Sequence, residues 1–144
     1  MATVAIRYLP EQRTEFGDCV GEIRIGDFVE RFPMSVFDVS PDLYIAQWKR
    51  TQARFATVPA RGCFLASVLQ PAAPDGRVFW WIFYRDGDAF VFQNHLLLMS
   101  AIDGAFDVEQ PERWIPPRET LTEDGQRISE WRVPIAGLVV EVSE

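Results

Sequence analysis

The chain has 144 residues but only two cysteines, one histidine and no long hydrophobic run. Each shortage removes a class of protein. Cys19 and Cys63 are too few and too far apart for a disulfide framework or a metal knuckle. Both lie in apolar, strand-like surroundings, so buried free thiols in a reducing compartment are expected. With His95 as the sole imidazole, Ser-His-Asp, Cys-His and His-rich metal sites lack material. No window approaches the ~18 apolar residues of a spanning helix. The N-terminal "MATVAIRYLPEQRTEF" is interrupted by Arg7, Glu11, Arg13 and Glu15, which rules out a signal-type apolar core. A cytoplasmic protein is expected.

The shortage of chemistry continues. There is no phosphate-binding loop, and the glycines of "GDCVGEIRIGD" lack the strand–turn–helix context of a dinucleotide site. Carboxylate pairs such as Asp86/Asp88 and Glu123/Asp124 flank turns, where Asp is favoured for backbone reasons. His95 closes an apolar strand and reads as structural. No cofactor, metal or catalytic residue is expected, and the chain is not expected to be an enzyme. Basic residues are also short. Fourteen Lys and Arg face 21 Asp and Glu, a net charge of −7. That balance argues against nucleic acid and anionic membrane as partners. The excess is local: residues 101–144 carry ten acids and four bases, the first hundred eleven and ten.

What is present is apolar and aromatic, 48% and 13% of the residues. This suffices for one domain, 1–144, with a core that needs no staples. The stretch "RVFWWIFYRDGDAFVFQNHLLL" reads as a hairpin around Asp86-Gly87, because Asp-Gly between apolar runs suits a type I′ turn. That turn would set Arg85 opposite Asp88, Phe83 opposite Phe90 and Trp81 opposite Phe92. One face is then aromatic (Phe79, Trp81, Phe83, Phe90, Phe92), and the other is apolar with polar tips. A strand apolar on both sides belongs inside a covered sheet; an aromatic face kept for a partner is the other reading.

"CVGEIRIGDFVERFPMSV" reads as two strands around Gly26-Asp27, with Pro33 confining the second to an edge or a bulge. In "VSPDLYIAQWKRTQARFATVP", Ser40 is a good N-cap, Pro41 suits the first helical position and Asp42 complements the dipole. Tyr44, Trp48, Thr51, Phe55 and Val58 form one stripe, and Pro59 ends the helix. Residues 62–70 read as a strand. The region 100–119 reads as irregular, with at most a helical turn over Val108–Trp114. A second turn at Asp124-Gly125 predicts strands at 118–122 and 127–133, while 136–144 fits a strand or a turn. The pattern is α+β: an antiparallel sheet of about five to seven strands with one principal helix on a face.

The segments "IGDFVERF", "YIAQWKRTQARF", "FLASVLQP", the tryptophan-rich hairpin with its "QNHLL" exit, and "IPPRETLTEDGQRISEWRVPI" follow in an order that resembles a known family. It is that of the immunity proteins of contact-dependent growth inhibition systems, and the resemblance runs over about residues 25–135. It implies a cytoplasmic protein that binds and neutralises the C-terminal toxin domain of a cell-surface effector. Such toxins are often nucleases, and a basic one would suit an acidic inhibitor. The resemblance brings no contact residues with it. On charge and exposure alone, the toxin-binding candidates are Asp103, Asp107, Glu109, Glu112, Trp114, Glu119, Glu123, Asp124 and Glu130. An acidic chaperone for a secreted effector is the alternative. A small-ligand pocket or enzyme site lined by Trp80, Tyr84 and His95 is a third reading.

Overall fold

Apolar strand runs separated by glycine turns form two four-stranded sheets in this computed structural model, which describes residues 2–143. The first sheet contains β1 (Thr3–Arg13), β2 (Cys19–Ile25), β3 (Phe28–Met34) and β8 (Val139–Ser143), in the order β3-β2-β1-β8. The second is an antiparallel meander of β4 (Arg61–Leu69), β5 (Arg77–Asp86), β6 (Ala89–Leu98) and β7 (Trp131–Pro134). One long helix, α1 (Pro41–Arg54), completes an α+β arrangement of the expected class. Pro33 lies on an edge strand, as expected. Residues 1–16 carry no expected element, yet β1 is 11 residues long, with Val4 and Ile6 buried. Charges at Arg7, Glu11 and Arg13 and the proline at position 10 obscure its alternation. The ambiguous C-terminal run is a strand, parallel to β1.

The sheets face each other across an aromatic core. Phe28 stacks on Trp131 at 4.3 Å and tilts against Trp81 at 6.0 Å, while Trp81 meets Trp131 at 5.5 Å. Phe55, just beyond α1, stacks on Phe83 at 4.5 Å. The helix stripe therefore covers Phe83, whereas Trp81 is covered by β3 and β7. At Gly62 a Cβ would collide with the outer end of the Phe83 ring, so glycine there makes room for that ring against β4.

The aromatic hairpin forms with its register two residues from the expected one. Asp86 pairs with Ala89, Phe83 with Phe92 and Trp81 with Asn94. The central turn residues are Gly87 and Asp88, and only Gly87 has a positive φ, of 62°. This is the pattern of a type II′ turn, which puts glycine first, in place of the type I′ turn expected at Asp86-Gly87. A shift of two keeps every side chain on its expected face. The second Asp-Gly turn also forms, with Gly125 at φ 80°, but its flanks make a single bridge, Leu121 to Arg127. The strands expected at 118–122 and 127–133 have little apolar surface to bury, and an unsupported two-stranded ribbon is marginal. Only Trp131–Pro134 remains as a strand, because it pairs with β6.

α1 starts as its sequence dictates: Ser40 caps it by accepting from the Leu43 amide, and Pro41 occupies the first turn. Its main work is at a sheet edge. β4 has no strand neighbour on one side, so its outward backbone groups need partners. The Gln47 side chain accepts from Leu65 N at 2.9 Å and donates to Cys63 O at 2.9 Å. Trp48 Nε1 donates to Leu65 O, Thr51 Oγ1 to Cys63 O, and Val68 N donates to the Tyr44 hydroxyl. Farther along, Gln52 Nε2 donates to Val140 O on β8, the edge of the other sheet.

This edge contact yields a stability prediction. Gln47→Leu keeps bulk but leaves the buried Leu65 amide without an acceptor, at about 1–3 kcal/mol, while Cys63 O keeps its bond from Thr51 Oγ1. Urea unfolding should therefore show a loss of ~1–3 kcal/mol. A loss near zero would mean that β4 does not depend on the helix for its edge.

Candidate functional site

The candidate acids lie on the segment 99–130, which joins β6 to β7 with only short 3₁₀ turns at Met99–Ala101 and Pro111–Trp114. Prolines at 111, 116 and 117 prevent a longer helix. The segment covers the sheet face bearing Trp80, Ile82 and Tyr84. Phe106 packs edge-on to Trp80 at 5.7 Å, and Trp114 packs against Phe106 at 4.9 Å. The Tyr84 hydroxyl donates to Pro116 O at 2.8 Å, and Gln93 Nε2 donates to Glu119 O at 2.9 Å.

The candidates do not form one patch of equal members. Asp103, Glu109, Glu119, Glu123 and Asp124 are exposed, the last two at the tip of the Asp-Gly turn. Asp107, Glu112, Trp114 and Glu130 are half-buried and already have partners. Asp107 Oδ1 accepts from the Glu109 amide, and Glu112 pairs with Arg54 of α1 at 3.1 Å. Trp114 carries the Arg113 guanidinium over its ring at 5.4 Å. Glu130 takes two bonds from Arg118, at 2.8 and 2.9 Å.

Glu130 belongs to a polar network that sequence spacing does not reveal. Gln93 Nε2 donates to its carboxylate at 2.7 Å, and Arg118 reaches on to Asp86, which Arg132 grips through two nitrogens at 2.8 Å. Both acceptors of Gln93 Nε2 orient the amide, so its Oε1 faces His95 Nε2, which must carry the proton of that bond. Burial lowers the His95 pKa from its ordinary value, only partly countered by Glu119, so the ring is neutral at pH 7. Burial pushes the Tyr84 hydroxyl up to about 12. The space over Trp80 and Tyr84 is taken by Phe106 and the 116–119 backbone, which does not favour the ligand-pocket reading. Among the described residues, no three His, Cys, Asp or Glu side chains converge to hold a metal.

Residues 34–140 match the family described as the CdiI N-terminal domain. The chain belongs to this family. It is 24% identical over 115 residues to the immunity protein CdiI of Enterobacter cloacae subsp. cloacae, covering 78% of this chain and 77% of that one. Its fold is similar to that of a chain in the CdiA-CT/CdiI toxin and immunity complex from Enterobacter cloacae, with a TM-score of 0.76 and 22% identity. That likeness covers 91% of this chain and 90% of the other. The family resemblance carried by the ordered segments is therefore borne out.

The Glu130–Arg118 pair makes a pH prediction. The Arg118 bonds, with Gln93 behind them, lower the Glu130 pKa below its ordinary 4.5 despite partial burial. A lowered folded pKa contributes stability that is complete above the unfolded value and lost as pH falls through the folded one. Glu130→Gln should therefore be less stable than the parent at pH 7, with the gap closing below about pH 4. Urea midpoints measured at pH 7, 5 and 3 check this, and a gap that persists in acid would assign the loss to packing.

Proposed function

We propose that this chain is a cytoplasmic immunity protein that binds and neutralises the C-terminal toxin domain of a contact-dependent growth inhibition effector. Its membership of the CdiI N-terminal domain family over residues 34–140 carries the reading. The likeness of its fold to a chain of a toxin and immunity complex supports it. Inhibition is by occupancy, so no catalytic group is needed. The buried free thiols of Cys19 and Cys63 suit a reducing compartment. In this reading the toxin domain is basic, in keeping with a nuclease. The exposed acids Asp103, Glu109, Glu119, Glu123 and Asp124 attract it from a distance, and neither nucleic acid nor membrane is a partner.

Co-expression with the toxin domain encoded beside this chain should yield a one-to-one complex on size exclusion, and its absence would refute the proposal. Glu123→Lys combined with Asp124→Lys should slow association and flatten its salt dependence while leaving folding intact. Binding that ignores both salt and these changes would reduce the acids to a solubility feature.

His95→Gln separates inhibitor from enzyme. Loss of a general base lowers a rate by ~10²–10⁴-fold, whereas a structural imidazole costs about 1 kcal/mol of stability. Toxin binding and protection of cells should be unchanged. Turnover of any substrate that collapses in this variant, with the fold intact, would make the protein an enzyme.

A further inference from the structure

Phe16, Phe37, Phe79, Leu96 and Leu98 are exposed, Phe16 and Phe37 at 85% and 90%. Single exposed apolar residues are ordinary, but a gathered set marks an interaction surface. These residues are gathered by the strand pairing. Cys19 at the start of β2 pairs with Met34 at the end of β3, and Arg77 at the start of β5 pairs with Leu69 and Leu98. Ser35 N donates to Ser67 Oγ at 3.0 Å and Gln70 N to Asp38 Oδ2 at 2.8 Å, which bring the ends of the two sheets together. Phe16 lies in the turn between β1 and β2, three residues before β2 begins, and Phe37 lies between Ser35 and Asp38. The exposed set therefore occupies one pole of the molecule.

A cleft of about 340 Å³ opens at the same pole, between Phe32 and Pro33 of β3 and Phe79 and Trp81 of β5. Trp81 is 1% exposed, yet its Nε1–H has no hydrogen-bond partner, the only such buried side-chain nitrogen or oxygen among the described residues. That nitrogen is covered by the packing around it, so it is not open to a partner from outside. Asn94, directly across the strand pair from Trp81, is exposed and lines the cleft too. Of the charges at the rim, Arg31 is paired with Glu22 at 3.2 Å, which leaves Asp18, Glu30 and Arg77 open to a partner.

We infer that this pole is where the toxin domain docks, an assignment that rests on the immunity reading above. An apolar toxin side chain enters the cleft against Phe32, Phe79 and Trp81. A basic side chain meets Asp18 or Glu30. An apolar centre with a charged rim is the usual anatomy of a protein interface, and two open carboxylates at that rim complement a basic domain. The acids of residues 103–124 act on the approach, and the pole holds the complex.

The test uses the full chain and the purified toxin domain encoded beside it, with affinity from calorimetry and rates from surface plasmon resonance. Leu96→Asp and Phe37→Asp change exposed side chains, and unchanged urea midpoints would establish that both variants fold. Each should weaken binding by at least ~30-fold, as loss of an interface anchor does, and mainly through faster dissociation. Wild-type binding with both surface variants within about twofold would place the interface elsewhere and leave the immunity reading standing. If the wild type does not bind the toxin domain, both the reading and the docking surface fall. A concentration-dependent dimer abolished by Leu96→Asp would assign the pole to a second copy of this chain and overturn the proposal.

Discussion

The contact between α1 and the free edge of β4 is what the rest of the architecture depends on. A sheet edge exposes a row of amide and carbonyl groups, and burying such a row without partners is prohibitive. Here the role of an adjoining strand is taken by side chains. The Gln47 amide supplies one acceptor and one donor to β4, as a neighbouring peptide group would, and Trp48, Thr51 and Tyr44 complete the row. With that edge satisfied, the helix can also reach β8 through Gln52, so one element contacts one edge of each sheet. The Tyr44 hydroxyl also donates to Ser35 O at 2.6 Å, fixing the exit of β3 against β4.

The parts of this arrangement that were legible in the sequence are those with local causes. Ser40, Pro41 and the 44–48–51 stripe announce the helix because capping and periodicity act within one or two turns. The hairpin was legible because glycine must sit where φ is positive, but its register was not. Asp86-Gly87 and Gly87-Asp88 both satisfy a glycine turn, and Arg132, far along the chain, holds Asp86 at the strand end. Gln47 was illegible for a different reason. It is a polar residue beside an apolar stripe, and composition reads it as surface, whereas it is 1% exposed and fully bonded.

Charge shows the same division. Counting acids in the last third identifies an acidic segment, but not which carboxylates are free to act at a distance. Glu130 and Glu112 are bound to Arg118 and Arg54, and Asp107 folds back on the Glu109 amide. These groups hold the segment 99–130 on its sheet and lend less to the outward field. The exposed acids near the Asp-Gly turn have no such tie, so under the proposed reading they are the carboxylates left to act at a distance. The acidic character of the segment is legible in the sequence, whereas the sorting of its acids into structural and exposed groups requires the fold.

The aromatic hairpin has two roles, and the boundary between them runs along a single strand. Phe83 and Trp81 are buried, and Phe79, two residues farther on the same face, is 38% exposed. At the inner end Phe55 and the first sheet cover the face. At the outer end β3 diverges from β5 and leaves the cleft. Trp81 stands at the border, its ring fixed by Phe28 and Trp131 while its N–H finds no partner. A side chain already immobilised by packing loses little entropy when a partner arrives, which is why rigid aromatic anchors dominate interface energetics. Density that serves only as core toward the helix therefore becomes, at the pole, a preorganised surface. The same stacking that stabilises the fold also holds the ring of Trp81 in place beside the cleft.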